Sequence, residues 1–239
     1  MLQHDNALDG VGLVIFDEFH ERSLQADLAL ALCYQMQQIL RPDMRLLIMS
    51  ATLDGAKLSS LLNNAPVLTS EGRQYPVALQ YISTDEKTPL HMSMARAVRK
   101  ALQEQPGDIL AFLPGAGEIQ RTQQLLEQEE LAVKIQPLYG DLSPQKQQEA
   151  ILPDANGKRK VVLSTSIAET SLTIEGIKTV IDSGYARVPR FDPRTGLTKL
   201  ETVRVTKDAA DQRAGRAGRM SAGTCYRLWS EGSHIHLNP

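Results

Sequence analysis

The 239-residue sequence holds only two cysteines, Cys33 and Cys225, and neither has a neighbour at metal or redox spacing. That excludes a disulfide framework and a zinc ribbon, and a reducing cytoplasm fits best. No apolar run approaches the ~18–20 residues of a membrane span, and residues 1–10 carry no basic-then-apolar leader pattern. The phosphate loop Gly-x-x-x-x-Gly-Lys-Ser/Thr is missing, as are the Gly-x-Ser-x-Gly elbow and the Gly-x-Gly-x-x-Gly fingerprint. His20-Glu21 begins a metalloprotease signature, but Leu24 stands where its second histidine belongs. The remaining histidines, His4, His91, His234 and His236, form no constellation, and the last two read as a surface tail. Neither charge is in excess: 28 acids face 26 bases, a net charge of −2. There is no global basic footprint for nucleic acid, although a local basic cleft is compatible with this balance.

What is present describes a folded chain. Apolar residues are 42% and charged residues 23%, outside the disordered and membrane classes. A chain of this length hides roughly 70% of its extended surface and forms one large or two small domains. Short branched apolar runs recur at 11–16, 45–49, 108–113, 160–164 and 178–182, the pattern of buried parallel strands. Helical segments separate them. Leu24, Leu28, Leu32, Met36 and Ile39 predict one apolar helix face. Ser143-Pro144 predicts an N-cap and first-turn proline, and Leu125-Leu126 lie in a further helix. This alternation predicts α/β layers around parallel sheets. Residues 70–89 read as a connector with a possible strand at 77–82, dividing the chain into 1–75 and 76–239. There is no internal repeat.

Four segments can carry chemistry. In Leu13-Val14-Ile15-Phe16-Asp17-Glu18-Phe19-His20 an apolar strand ends in two acids. Ligands of open parallel sheets sit at the carboxyl ends of strands. One acid there can hold magnesium through water, and a second can orient an attacking water toward a phosphate. Two solvated carboxylates at a strand end would read the same way. In Gln212-Arg213-Ala214-Gly215-Arg216-Ala217-Gly218-Arg219, Gln212, Arg216 and Arg219 would share a helix face. Each glycine costs a helix about 1 kcal/mol, so a helix ending near Ala214, then a loop presenting arginines, is expected. Arginine grips phosphate oxygens with a planar fork and can neutralise charge on a transferred phosphoryl group. A loop that only binds a phosphate backbone is the alternative.

The hydroxyls Thr165, Ser166, Thr170, Ser171 and Thr173 follow the apolar run 161–163. Such groups bind phosphate or sugar without reading bases, but turns and caps use the same residues. Ser50-Ala51-Thr52 follows the run 46–49 and would equally serve as a cap for a helix at 53–62. Pro193 and Gly196 mark a turn whose flanks, 186–191 and 197–205, could pair as a protruding hairpin or as an ordinary sheet connection.

Taken in order, these segments resemble a superfamily 2 helicase of the DEAH-box type. Asp17-Glu18-Phe19-His20 resembles its second motif, Ser50-Ala51-Thr52 the third, and Phe112-Leu113-Pro114-Gly115 the fourth. Residues 165–174 resemble the fifth and 212–219 the sixth. The phenylalanine in Asp-Glu-Phe-His, with Glu21-Arg22-Ser23-Leu24, Leu138-Tyr139-Gly140 and the 191–197 turn, points to the bacterial HrpB branch. The resemblance implies two RecA-like parallel-sheet lobes with ATP between them: the tail of one lobe in 1–75 and a nearly complete second lobe with a β-hairpin in 76–239. It implies that Asp17 holds Mg2+ and that Glu18, beside the metal, orients the attacking water. His20, Ser50 and Thr52 would couple that site to nucleic acid. Gln212, Arg216 and Arg219 would reach the γ-phosphate, and Glu175 would lie near the ribose. Thr165 and the Gly115 loop would touch the RNA backbone, and the hairpin would separate strands. Ser166 departs from the family, which usually has asparagine there.

The resemblance implies an ATP-dependent RNA helicase acting on single strands or overhanging duplexes of RNA, with DNA not excluded as a substrate. The family's phosphate-loop lysine is expected upstream of Met1 and its helical C-terminal domains beyond Pro239. The chain therefore reads as a fragment, inactive alone. A non-catalytic RNA- or partner-binding module built on the second lobe is the alternative, and a truncated product without a stable fold is a third reading.

Overall fold

In the computed structural model the described residues are 8–21, 23–50, 55–70, 75–85, 87–129, 131–169 and 172–238. They form two compact units, Met1–Glu71 and Gly72–Pro239.

In the first unit the expected strands form a parallel pair, β1 (Leu13–Phe16) and β2 (Arg45–Ile48), with Phe16 opposite Ile48. Helix α1 (Leu24–Ile39) connects them, and its N-cap Ser23 accepts a hydrogen bond from the Ala26 amide at 3.0 Å. The apolar stripe expected on this helix is not its buried face. Leu24, Leu28, Leu32 and Ile39 are exposed, whereas Leu30, Cys33 and Met36 are buried with Leu8 and Met44. The helix is apolar on more than one side, and among the described residues of this unit it is the side toward Val14, Phe16 and Leu46 that packs into the core. Helix α2 (Gly55–Leu61) follows. The cap expected at residues 51 and 52 lies outside the described residues.

The second unit is built on six parallel strands: β3 (Val77–Tyr81), β4 (Asp108–Phe112), β5 (Lys134–Leu138), β6 (Lys160–Ser164), β7 (Ile177–Asp182) and β10 (Gly223–Arg227). They lie in the order β3-β10-β7-β4-β6-β5. Because side chains alternate across a strand, β4 serves two cores. Ile109 and Ala111 face α3 (Leu90–Glu104) and α4 (Ala116–Glu127), packing with Met94, Val98, Ile119 and Leu126. Leu110 and Phe112 face the other side, with Ala150 of α5 (Pro144–Ile151) and Ala214 of α6 (Lys207–Gly215). The result is a three-layer α/β/α lobe whose central strands are buried on both faces, as continuous apolar runs require. Pro144 starts α5 as expected, but the Ser143 side chain makes no capping bond.

Between β7 and α6 the antiparallel pair β8 (Tyr185–Asp192) and β9 (Leu197–Arg204) forms the hairpin. Its turn is closed by Asp192, whose carboxylate accepts from the Arg194 amide at 3.0 Å and whose carbonyl accepts from Gly196 at 2.9 Å. Gly184, immediately before the hairpin, has φ of +78°. The closing helix α7 (Glu231–Ile235) carries His234, which is not on a free tail: its ring stacks on Trp229 and lies 3.2 Å from the Arg227 guanidinium.

Candidate functional site

In the first unit the acid pair emerges where β1 ends. Asp17 is exposed, and its carboxylate accepts from the Glu18 amide at 2.8 Å. This bond turns the chain sharply, and Glu18 takes φ of +49°, a left-handed conformation that costs a non-glycine residue about 1–2 kcal/mol. Strain of this kind persists only where surrounding structure enforces it. Here the enforcement is visible. Phe19 is buried and edge-on to Phe16 with centroids 6.2 Å apart, and its amide donates to the Met49 carbonyl at 3.0 Å. The same bond seats Ser50, at the end of β2, beside the acid segment. His20 follows, with Nε2 3.5 Å from Glu18 Oε2 and a side chain only 8% exposed. Asp17, Glu18, His20 and Ser50 are thus brought together, while Thr52 lies outside the described residues. A lone exposed carboxylate with an acidic neighbour suits Mg2+, which needs one or two carboxylates and takes its other ligands from water and phosphate. No cluster of three or more His, Cys, Asp or Glu residues at metal-binding distance occurs among the described residues.

In the second unit the site residues divide between two rims of the sheet. At the carboxyl rim, where β4, β6 and β7 end in register at Phe112, Ser164 and Asp182, lie the Gly115 loop, Thr165 and the hairpin root. Gly115 is the N-cap of α4 and has no side-chain cap. A Cβ at this position would lie 2.8 Å from the Arg187 guanidinium, so glycine lets the hairpin arginine close over the loop. Arg187 is also 3.7 Å from Glu118. The Thr165 amide donates to the Leu138 carbonyl at 3.1 Å and leads into a short 3-10 turn, Ser166–Ala168.

At the amino rim lie Glu175, which is exposed and precedes β7, and the arginine turn Arg216–Gly218. The Gly218 carbonyl accepts from Tyr75 at 3.0 Å, and Gly223 donates to Pro76 at 3.1 Å, fixing the turn below β3 and β10. Gln212 is half-buried on α6 and Arg219 is exposed. Arg216 is only 8% exposed. Its guanidinium donates to the carbonyls of Leu172, at 2.8 Å, and Glu169, and Arg219 donates to the Thr173 hydroxyl. The helix expected to end near Ala214 ends at Gly215, and the expected loop is this 3-10 turn.

Sequence reasoning passed over Arg213. Its side chain is 1% exposed and donates from Nε to Glu169 at 2.9 Å, and from one terminal nitrogen to Asp182 at 2.9 Å and the Tyr185 carbonyl at 3.2 Å. The guanidinium also stands over the Phe112 ring, 4.9 Å from its centroid. Burial opposes its charge, but Asp182 and Glu169 outweigh that cost and hold its pKa above the ordinary arginine value. One signal was available: Arg213 shares the helical spacing of the buried Ala210, Ala214 and Ala217, so it sits on the core face and needs a buried partner.

Residues 93–221 match the family model for the helicase conserved C-terminal domain. The chain is 55% identical over 95% of its length to an ATP-dependent RNA helicase, HrpB, of Escherichia coli strain K12, covering 28% of that protein. It is 40% identical to a chloroplastic ATP-dependent RNA helicase, DEAH12, of Arabidopsis thaliana, covering all of this chain and 14% of that protein. A crystal structure of the Escherichia coli DEAH/RHA helicase HrpB superposes on the whole chain with a TM-score of 0.91 and 52% identity, and the match covers 30% of that structure's chain. The chain thus spans under a third of the length of these relatives. On the fold of its second unit, the order of its motifs and these likenesses, the chain belongs to the helicase conserved C-terminal domain family, in the DEAH-box, HrpB-type branch of superfamily 2.

Proposed function

We propose that this chain supplies part of the machinery of an ATP-dependent RNA helicase working in the cytoplasm. Residues 1–75 would contribute the end of the first RecA-like lobe and 76–239 the second. ATP, held with Mg2+, would supply the phosphoanhydride whose hydrolysis alternates closure and opening of the two lobes. Asp17 would hold the metal, with Glu18 close by to orient the attacking water. His20, Ser50 and Thr52 would relay the state of that site. Gln212, Arg216 and Arg219 would meet the γ-phosphate, and Glu175 the ribose. Gly115 and Thr165 would hold the RNA backbone while the hairpin parts strands.

The observation that carries this reading is the acid segment. An exposed aspartate and a strained glutamate leave one strand end together, and a largely buried histidine stands at the second carboxylate. A solvated strand end has no use for a glutamate held at positive φ by a buried phenylalanine. The absence of a phosphate loop from these 239 residues means that they alone would hold ATP weakly, because the amide cradle and its lysine grip the β- and γ-phosphates.

The test is ATP hydrolysis by the full-length protein that contains this chain, with and without single-stranded RNA or DNA. Turnover should rise with RNA, and Glu18→Gln should bind nucleotide while turning over roughly 100-fold more slowly or worse. Unchanged turnover would remove Glu18 from that role. RNA binding that weakens steeply with salt, with no hydrolysis by the unmodified protein, would favour a binding module instead.

A further inference from the structure

Arg213 touches the segments on which the proposed RNA contacts sit, while its own helix ends in the proposed phosphate contacts. Phe112, under its guanidinium, leads into the Gly115 loop. Tyr185, whose carbonyl it binds, is the first residue of the hairpin. Asp182 ends β7 at the carboxyl rim, and Glu169 closes the 3-10 turn that begins after Thr165. From this rim α6 crosses the sheet: its N-terminal side follows Val205, whose amide donates to Gly184, and its C-terminal side enters the arginine turn pinned under Tyr75.

Glu169 is held at two points. Arg213 takes its carboxylate and Arg216 takes its carbonyl. The turn after Thr165 cannot shift relative to α6 without disturbing both bonds. Nor can Arg216 swing toward a phosphate without leaving the Glu169 and Leu172 carbonyls. The bond is charge-assisted and joins the buried Arg213 to a half-buried carboxylate, and a contact that both sites can make or break is one physical route to energetic coupling between them.

We propose that the Arg213–Glu169 pair is a positioning link that couples RNA seated at Thr165 to the release and orientation of Arg216 and Arg219. This rests on the helicase reading above. Neither residue would contact RNA or nucleotide. The link makes ATP turnover respond to RNA, so its loss should separate the two activities without abolishing either binding event.

The test uses the full-length protein. Arg213→Ala would leave Asp182 buried without its counter-charge and should unfold the lobe, so the informative variants are Glu169→Ala and Glu169→Gln. Asp182 keeps Arg213 compensated in both. Melting curves and circular dichroism establish folding, fluorescence anisotropy gives RNA affinity, and steady-state hydrolysis gives turnover with and without RNA. In Glu169→Ala, RNA affinity and RNA-free turnover should stay within about twofold, while the factor by which RNA raises turnover falls roughly tenfold, the size of typical couplings between sites. Glu169→Gln keeps an acceptor for Arg213 and should lose only about two- to threefold. Equal losses with and without RNA would show a merely structural contact, and an unchanged stimulation factor would show no link; either overturns the proposal. Should the unmodified protein show no RNA-stimulated hydrolysis, the helicase reading itself fails and the link falls with it, an outcome visible before any variant is compared.

Discussion

Single residues in this molecule are legible from sequence when their chemistry points outward, and hidden when it points inward. Asp17 and Glu18 stand out because two acids after four apolar residues are conspicuous. The positive φ of Glu18 is invisible in sequence, since it arises from the Asp17 bond to its amide and the burial of Phe19. Gly184 shows the same division. Its glycine is evident, but its need is tertiary: φ is +78° and an added Cβ would stand 2.8 Å from the Trp229 ring. Gly184→Ala should therefore cost about 2–4 kcal/mol, combining left-handed strain with overpacking. Urea denaturation followed by circular dichroism measures it, and a cost below 1 kcal/mol would mean that the hairpin root can move away from Trp229.

At the scale of elements, α7 depends on a group that the sequence placed on a surface tail. His234 lies against Trp229, Tyr81 and the buried Arg227, with Asp211, Lys207 and Glu231 nearby. Burial first, then the charge of Arg227, lowers its pKa from the ordinary value near 6.5. The unfolded chain thus takes up the proton more readily than the folded one. The neutral ring's contribution is fully present above about pH 6.5 and is lost as pH falls through the lower folded value. His234→Phe keeps the stacked ring without the titration. Between pH 7.5 and pH 5.5 its melting temperature should fall less than that of the unmodified chain; parallel declines would show that His234 does not titrate against the fold. The hairpin, in contrast, was legible within a residue at each end, because Pro193 and Gly196 fix its turn locally.

At the scale of the whole chain, the two units have unequal cores. The first buries a small cluster of Leu8, Cys33, Met36 and Met44, with Phe19 and Leu30 buried besides; the second packs both faces of a six-stranded sheet. Each contains one buried cysteine whose thiol pKa is raised by burial. Both thiols should resist alkylation in the native chain. In rising denaturant Cys33 should become reactive first and Cys225 in a later transition, because less apolar surface holds the first unit together. Mass spectrometry of the labelled peptides reads the two separately. Simultaneous exposure would mean that the units unfold as one.

The sequence by itself left β5 (Lys134–Leu138) and β10 (Gly223–Arg227) unread, but it determined the strands built on apolar runs, their parallel α/β class and the order of the motifs. Those follow from local patterns of apolar runs, turns and charges that hold wherever the chain goes. Tertiary structure decided which face of α1 is buried, since that depends on what packs beside a helix that is apolar on more than one side. It also decided that Arg216 is bonded to loop carbonyls and that Arg213 joins Glu169 to Asp182 across segments 31 to 44 residues apart in sequence. Contacts between distant segments carry no local signature, because a buried charge is specified by the partner it meets only when the sheet has closed around it.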